Sequence, residues 1–279
     1  MSRHLFWLVV LSVTAAVAQA VTPGKLAIPG IQGGDDRTLV EGTDYPWGAI
    51  GRLNNTLGPF CTGTLIGPRQ VLTAAHCLWN RRTRTWLPTC ALHFLAGYQR
   101  GGHLAHSLVV SYELAGGEGA RRKELSGGPS QDWAVLTLAD DLSGKVSPLP
   151  TLSLDKKLLY SYGQQGIFMQ AGYSRDRPHI LTRNRRCNIV GLASGDLIAL
   201  HECDATFGDS GSPVLLERDG TFHIVAMHVA INNRTGQGIA VTGKAFHERL
   251  PAMEKSDLSN KPVKTCQTPA PDRVSKAMT

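Results

Sequence analysis

A chain of 279 residues with 42% hydrophobic and 18% charged residues can bury one large core or two smaller ones, and it is too apolar to be disordered. Its formal net charge of +7 would suit an anionic surface or nucleic acid. The arginines fall in small groups (Arg81, Arg82 and Arg84; Arg121 and Arg122; Arg183 to Arg186) with no interleaved aromatics and no nucleic-acid motif. They read as solvated surface, and no nucleic-acid partner is expected.

Residues 1–20 have the pattern of a secretory signal. Arg3 and His4 precede an apolar stretch over residues 5–17, and Ala18-Gln19-Ala20 supplies a small-x-small cleavage site before Val21. The stretch is too short to span a bilayer, and no later segment is long and apolar enough. The expected location is therefore secreted or periplasmic, with no membrane span once the signal is removed. Residues 21–35, rich in Gly, Pro and Asp, read as a pro-segment or N-terminal arm. Short apolar runs then alternate with turn residues at 62–68, 71–75, 108–110, 133–138, 189–192, 214–216 and 222–227. That spacing predicts an all-β domain, barrel or sandwich, over residues 36–251. One helix is predicted near residues 245–250, stopped by Pro251. Residues 252–279 read as a polar tail.

In an oxidising compartment six cysteines point to disulfides rather than a metal, since none shows Cys-x-x-Cys spacing. Fifteen connectivities are open on spacing alone. The chemistry is carried by three segments. Gly208-Asp209-Ser210-Gly211-Ser212-Pro213 places a serine in a tight glycine turn, where the N–H groups of Gly208 and Ser210 could converge on a developing oxyanion. A serine hydroxyl needs a base, and the base needs an orienting carboxylate. Thr73-Ala74-Ala75-His76-Cys77 offers the histidine. Asp132, at the mouth of an apolar run, would be costly to bury unless it paired with His76. Each segment alone is commonplace; the combination supplies nucleophile, base and orienter.

Residues 73–77, 132–138 and 208–213 resemble the signature segments of the chymotrypsin/trypsin superfamily, which uses the chain order His, Asp, Ser. The Ser210-Gly211-Ser212-Pro213 ending, Asp36-Arg37, Pro46-Trp47 and the run 61–66 are closer to bacterial V8-like (glutamyl endopeptidase-like) secreted proteases. The likeness covers most of residues 35–250. It implies two antiparallel six-stranded β-barrels with a catalytic cleft between them, and a short C-terminal helix. It also implies a secreted serine endopeptidase with the triad His76, Asp132 and Ser210, acting on protein or peptide substrates as a monomer without metal or cofactor. Cys61 pairs with Cys77 by this likeness and Cys187 with Cys203, which leaves Cys90 with Cys266. Asp204, six residues before Ser210, stands where trypsin-like members carry a carboxylate for a Lys or Arg P1 side chain. His228 lies on a run like that on which glutamyl endopeptidases carry a pocket histidine for an acidic P1, and it could pair with Asp204. The run Ile31-Gln32-Gly33-Gly34 is similar to a freed zymogen end that would pair with Asp209, so a pro-segment cut between Val21 and Asp36 is expected. The rival reading is a catalytically silent protease-fold binding protein. An α/β-hydrolase esterase would need the order Ser, Asp, His.

Overall fold

In the computed structural model the described residues are 28–117, 128–162, 167–185 and 187–250. The expected signal segment, the polar tail and Cys266 lie outside them. The strands of the N-terminal half are β1 (Thr38–Leu39), β2 (Ile50–Asn55), β3 (Cys61–Leu65), β4 (Gln70–Thr73), β5 (Trp79–Asn80), β6 (Thr85–Trp86), β7 (Leu92–Ala96), β8 (Ala105–Leu114) and β9 (Ala134–Leu138). Helix α1 (Lys156–Tyr162) follows, then β10 (Ile167–Gly172), β11 (Thr182–Arg185), β12 (Ile189–Ala193), β13 (Ile198–His201), β14 (Pro213–Arg218), β15 (Thr221–Ile231) and β16 (Gly238–Thr242), and last helix α2 (Gly243–Phe246). Every predicted apolar run contributes to one of these strands.

Six strands close the first barrel in the order β2-β3-β4-β9-β8-β7, all neighbours antiparallel. Period-two patterning explains its walls. Along β8, Ala105, Ser107 and Val109 are buried while His106 and Leu108 face out. All of β9 is buried because neighbouring structure covers both of its faces. The second unit is a curled eight-stranded sheet, β1-β11-β10-β14-β15-β16-β13-β12. The second barrel expected from the sequence thus has eight strands in place of six, with the short β1 from the start of the domain added at one edge, and its edge strands β1 and β12 are not neighbours in the sheet.

One apolar core runs through both units, from Ile50, Leu72 and Phe94 in the barrel to Leu215, Met227 and Val241 in the sheet. Polar ties fix their relative position. Tyr173 donates its hydroxyl to the Tyr98 carbonyl (2.8 Å), its N–H donates to Thr62 Oγ1 (2.9 Å), and Arg52 donates to the Pro178 carbonyl (3.1 Å). On the far side of the sheet, α1 lays Leu158, Leu159 and Tyr162 over Phe168, Val214 and Val225. This helix was not predicted. Its sequence signal is Asp155, whose carboxylate accepts the Leu158 N–H (2.7 Å) as an N-cap does. The predicted C-terminal helix is present but starts earlier than expected, at Gly243, and ends at Phe246.

Two disulfides follow the expected pairing, Cys61–Cys77 and Cys187–Cys203. Cys90 is disulfide-bonded, and the expected Cys90–Cys266 pair falls partly outside the described residues. Among the described residues no helix is long and apolar enough to cross a membrane.

Candidate active site

His76 lies in the one-turn helix that follows β4, just after the fully packed Ala74 and Ala75. Small side chains there let the turn sink against the barrel, and the Cys61–Cys77 disulfide pins it. Asp132 ends the one-turn helix before β9 and is 8% exposed. It holds His76 at two points: Oδ1 accepts the His76 backbone N–H (2.8 Å), and Oδ2 lies 2.7 Å from the imidazole Nδ1. A carboxylate accepts only, so Nδ1 carries the proton and Nε2 is left as the basic nitrogen. The sequence expectation that a buried Asp132 must be paired is met by this contact.

Ser210 sits on the turn between β13 and β14, flanked by Gly208 (φ 96°) and Gly211 (φ 87°). A Cβ on Gly211 would strike the Thr62 carbonyl oxygen at 2.1 Å and Thr73 Oγ1 at 2.5 Å. Glycine is what allows this turn to lie against β3 and β4. The turn is tied at nearly every polar atom. The Ser210 carbonyl accepts the Thr62 N–H (2.9 Å), the Gly208 carbonyl accepts the Thr62 hydroxyl (3.0 Å), and the Gly211 N–H donates to the His228 carbonyl (2.8 Å). Among the described residues the N–H groups of Gly208 and Ser210 have no acceptor. Cys77, next to His76, lies with its sulfur 3.9 Å from the Ser210 carbonyl oxygen, so the histidine and serine turns meet. Among the described residues no hydrogen bond joins Ser210 Oγ to His76. His76, Cys61 and Cys77 also bring their nitrogen and sulfur atoms within 4.8 Å of one another, but the disulfide leaves no thiolate to ligate a metal.

Asp209 is 1% exposed, and its carboxylate accepts the Ser174 hydroxyl (2.7 Å) and the Thr206 N–H (2.8 Å). Internal donors thus occupy the group that the zymogen resemblance assigned to a freed amino terminus. Burial raises its carboxyl from 3.8 to about 6, against the opposing pull of those donors. Because the folded value is the higher one, the folded state holds this proton more tightly. Asp209 therefore favours folding fully below about pH 4 and loses that contribution as pH rises through about 6. Asp209→Asn should flatten the fall in melting temperature over that window; an unchanged pH profile would refute the assignment.

Asp204 is placed differently from the expectation of a pocket carboxylate. It is 3% exposed, and both oxygens are taken by the N-terminal arm: Oδ1 accepts the Gln32 N–H (2.8 Å) and Oδ2 the Asp36 N–H (3.2 Å). The Gly30 carbonyl accepts the neighbouring Ala205 N–H (3.2 Å). Asp204 does not pair with His228 either. The partner of His228 is His201, a residue that sequence reasoning did not single out because a lone histidine in a strand carries no signal.

Both imidazoles of this pair are fully buried, with His201 Nε2 3.0 Å from His228 Nδ1. The Cys203 N–H donates to His201 Nδ1 (3.2 Å), so in the neutral ring the proton must sit on Nε2 and point at His228 Nδ1. His228 is then an acceptor at Nδ1 and carries its own proton on Nε2, which has no partner among the described residues. Burial lowers His201 to about 4 and His228 well below its usual value, with His201 and His76 adding to the latter. The pair is therefore neutral at physiological pH. His201 packs flush on β16: a Cβ on Gly238 would lie 2.1 Å from its ring.

A family model described as a trypsin-like peptidase domain matches residues 61–227, well over half of the chain. The chain belongs to the trypsin-like peptidase family. This trypsin-like peptidase is 29% identical to a glutamyl endopeptidase of Bacillus licheniformis over 136 residues, 48% of this chain and 40% of the relative. It is also 29% identical to vitamin K-dependent protein C of Mus musculus over 218 residues, 68% of this chain and 44% of the relative. The trypsin-like peptidase chain thus spans less than half the length of these curated relatives. A solved Glu endopeptidase in complex with MPD superposes with a TM-score of 0.66 at 20% identity, covering 81% of this chain and 99% of that one. At that identity the likeness speaks for the fold.

Proposed function

We propose that this trypsin-like peptidase is an exported serine endopeptidase that uses His76, Asp132 and Ser210 as its triad and favours an acidic P1 residue. The observation that carries the reading is the two-point hold of Asp132 on His76, beside a serine turn whose Gly208 and Ser210 N–H groups are without acceptors. Ser210 Oγ attacks the peptide carbonyl and passes its proton to His76 Nε2. The carbonyl oxygen takes the negative charge and is met by the two free N–H groups. His76 returns the proton to the departing amine, leaving an ester on Ser210. Water then repeats the sequence, and the acid product leaves Ser210 as it began. The domain reading of residues 1–20 as a signal, 21–35 as an arm and 36–251 as the catalytic unit belongs to the same proposal.

The P1 reading moves from a basic to an acidic side chain for two reasons. Asp204, the carboxylate that favoured Lys or Arg, is occupied by arm N–H groups. The His201–His228 relay ends in an unpartnered donor, and His228 bonds through its backbone to Gly211 and Ser212, the two residues after Ser210. A buried N–H donor beside the nucleophile suits a carboxylate, and the carboxylate in turn would draw a proton onto His228. The name of the Bacillus licheniformis relative agrees with this choice.

The test is a cleavage map on a diverse peptide library with Ser210→Ala as control. Cuts after Glu or Asp that vanish in the control support the reading. Cuts after Lys or Arg overturn the P1 assignment, and an inert wild type favours the binding-protein alternative. His201→Phe removes the donor that sets the tautomer of His228. It should lower kcat/KM for a Glu P1 substrate by about 10- to 100-fold relative to an uncharged P1; an equal loss on both substrates would refute the relay.

A further inference from the structure

The outer face of the first barrel holds a second group of imidazoles that the proteolytic reading leaves unused. The register of β7 and β8 pairs His93 with Leu108 and Leu95 with His106. His93 and His106 are therefore diagonal neighbours on the outward side. Their rings stack with centroids 5.4 Å apart and planes 18° from parallel, and His93 Nδ1 lies 3.1 Å from His106 Nε2. His103, on the loop leading into β8, is exposed, with its ring 5.9 Å from that of His106.

We propose that this face binds one divalent transition-metal ion of the zinc type, with His93 and His106 as its two placed ligands and His103 as the third. The spacing is the first reason. Two nitrogens bound to a tetrahedral zinc at 2.0–2.1 Å stand about 3.3 Å apart. The His93 and His106 nitrogens share a hydrogen bond at 3.1 Å, so an ion can take the place of the shared proton with little change in their separation. The register is the second. Strands β7 and β8 hold both rings on the outward side of one sheet, so the pair is placed before an ion arrives.

The surroundings supply the third reason. The three histidines line a groove of about 610 Å³ together with Asn54, Arg52 and Phe60, which leaves room for water as a fourth ligand. Asn54 lines the same groove. The charge of Arg52 is directed elsewhere, with its guanidinium 4.0 Å over the Phe60 ring and donating to the Pro178 carbonyl. As they stand the ligand atoms of the three rings are not gathered round one point, and His103 would reach the ion by rotating its exposed side chain.

Calorimetric titration of the purified chain at neutral pH, with Zn²⁺ and separately with Ca²⁺, tests this. One Zn²⁺ should bind per chain, and Ca²⁺, which prefers oxygen ligands, should give no binding. His93→Gln and His106→Gln should each weaken Zn²⁺ binding by more than about tenfold, while His76→Gln should leave it unchanged. No Zn²⁺ binding, binding that survives His93→Gln/His106→Gln together, or binding lost in His76→Gln would overturn the proposal. Should a histidine variant fold poorly, the wild type still decides: Zn²⁺ must raise its melting temperature, and no rise counts against the site.

Discussion

Ser210→Ala should lower kcat by about a million-fold, to the residual rate left by binding and the free N–H groups. The reasoning rests on how little else in the turn can substitute. Ser212, the nearest other hydroxyl in sequence, accepts a hydrogen bond from Gln170, and its backbone is bonded to Asp209 and His228. It is buried behind the turn and cannot reach a substrate. The turn itself is held by the Gly208 and Ser210 carbonyls, which accept from Thr62, and by the Gly211 N–H, which donates to His228, so removing the Ser210 hydroxyl should not disturb it. Steady-state turnover beside an unchanged melting temperature is the decisive pair of measurements. A loss smaller than about a hundredfold would place the nucleophile elsewhere.

Asp132→Asn should lower kcat by about 10⁴-fold at neutral pH. The two-point hold gives the reason. The His76 backbone N–H needs an acceptor at the Oδ1 position. If the amide oxygen of Asn stays there, its NH₂ faces His76 Nδ1 and donates to it. The imidazole proton then moves to Nε2, and the ring can no longer take a proton from Ser210. The loss belongs in kcat, because no substrate contact is removed. An Asn variant with near-normal kcat would show that the Asp132 contact is structural only.

The candidate site was legible where it is written contiguously. Residues 73–77 and 208–213 each combine a reactive side chain with the small neighbours that its turn requires, so motif and geometry coincide. The positions of the strands were readable for the same local reasons, whereas the Cys61–Cys77 pair came from the family resemblance. What sequence reading lost is what depends on long-range company. Asp204 was read from its distance to Ser210, but a carboxylate's role follows from its donors, and these come from Gln32 and Asp36. His201 and His228 become one unit only because β13 and β15 both pair with β16. The place of β1 at the edge of the second sheet has the same origin, since Thr38–Leu39 precedes the first barrel in sequence and pairs with β11 in space.

The clasp between the arm and Asp204 also bears on the order in which the molecule assembles. Gln32 and Asp204 are 172 positions apart, so this contact closes one of the longest loops in the chain. Such closures are entropically slow and come after local hairpins have formed. The arm leaves the ribosome early and must wait for almost the whole domain before it can dock. The loop that leads into Ser210 gains its bonds to Gln32 and Asp36 only at that point. Most of the sheet structure can thus be built from nearer contacts before this segment receives its last partners.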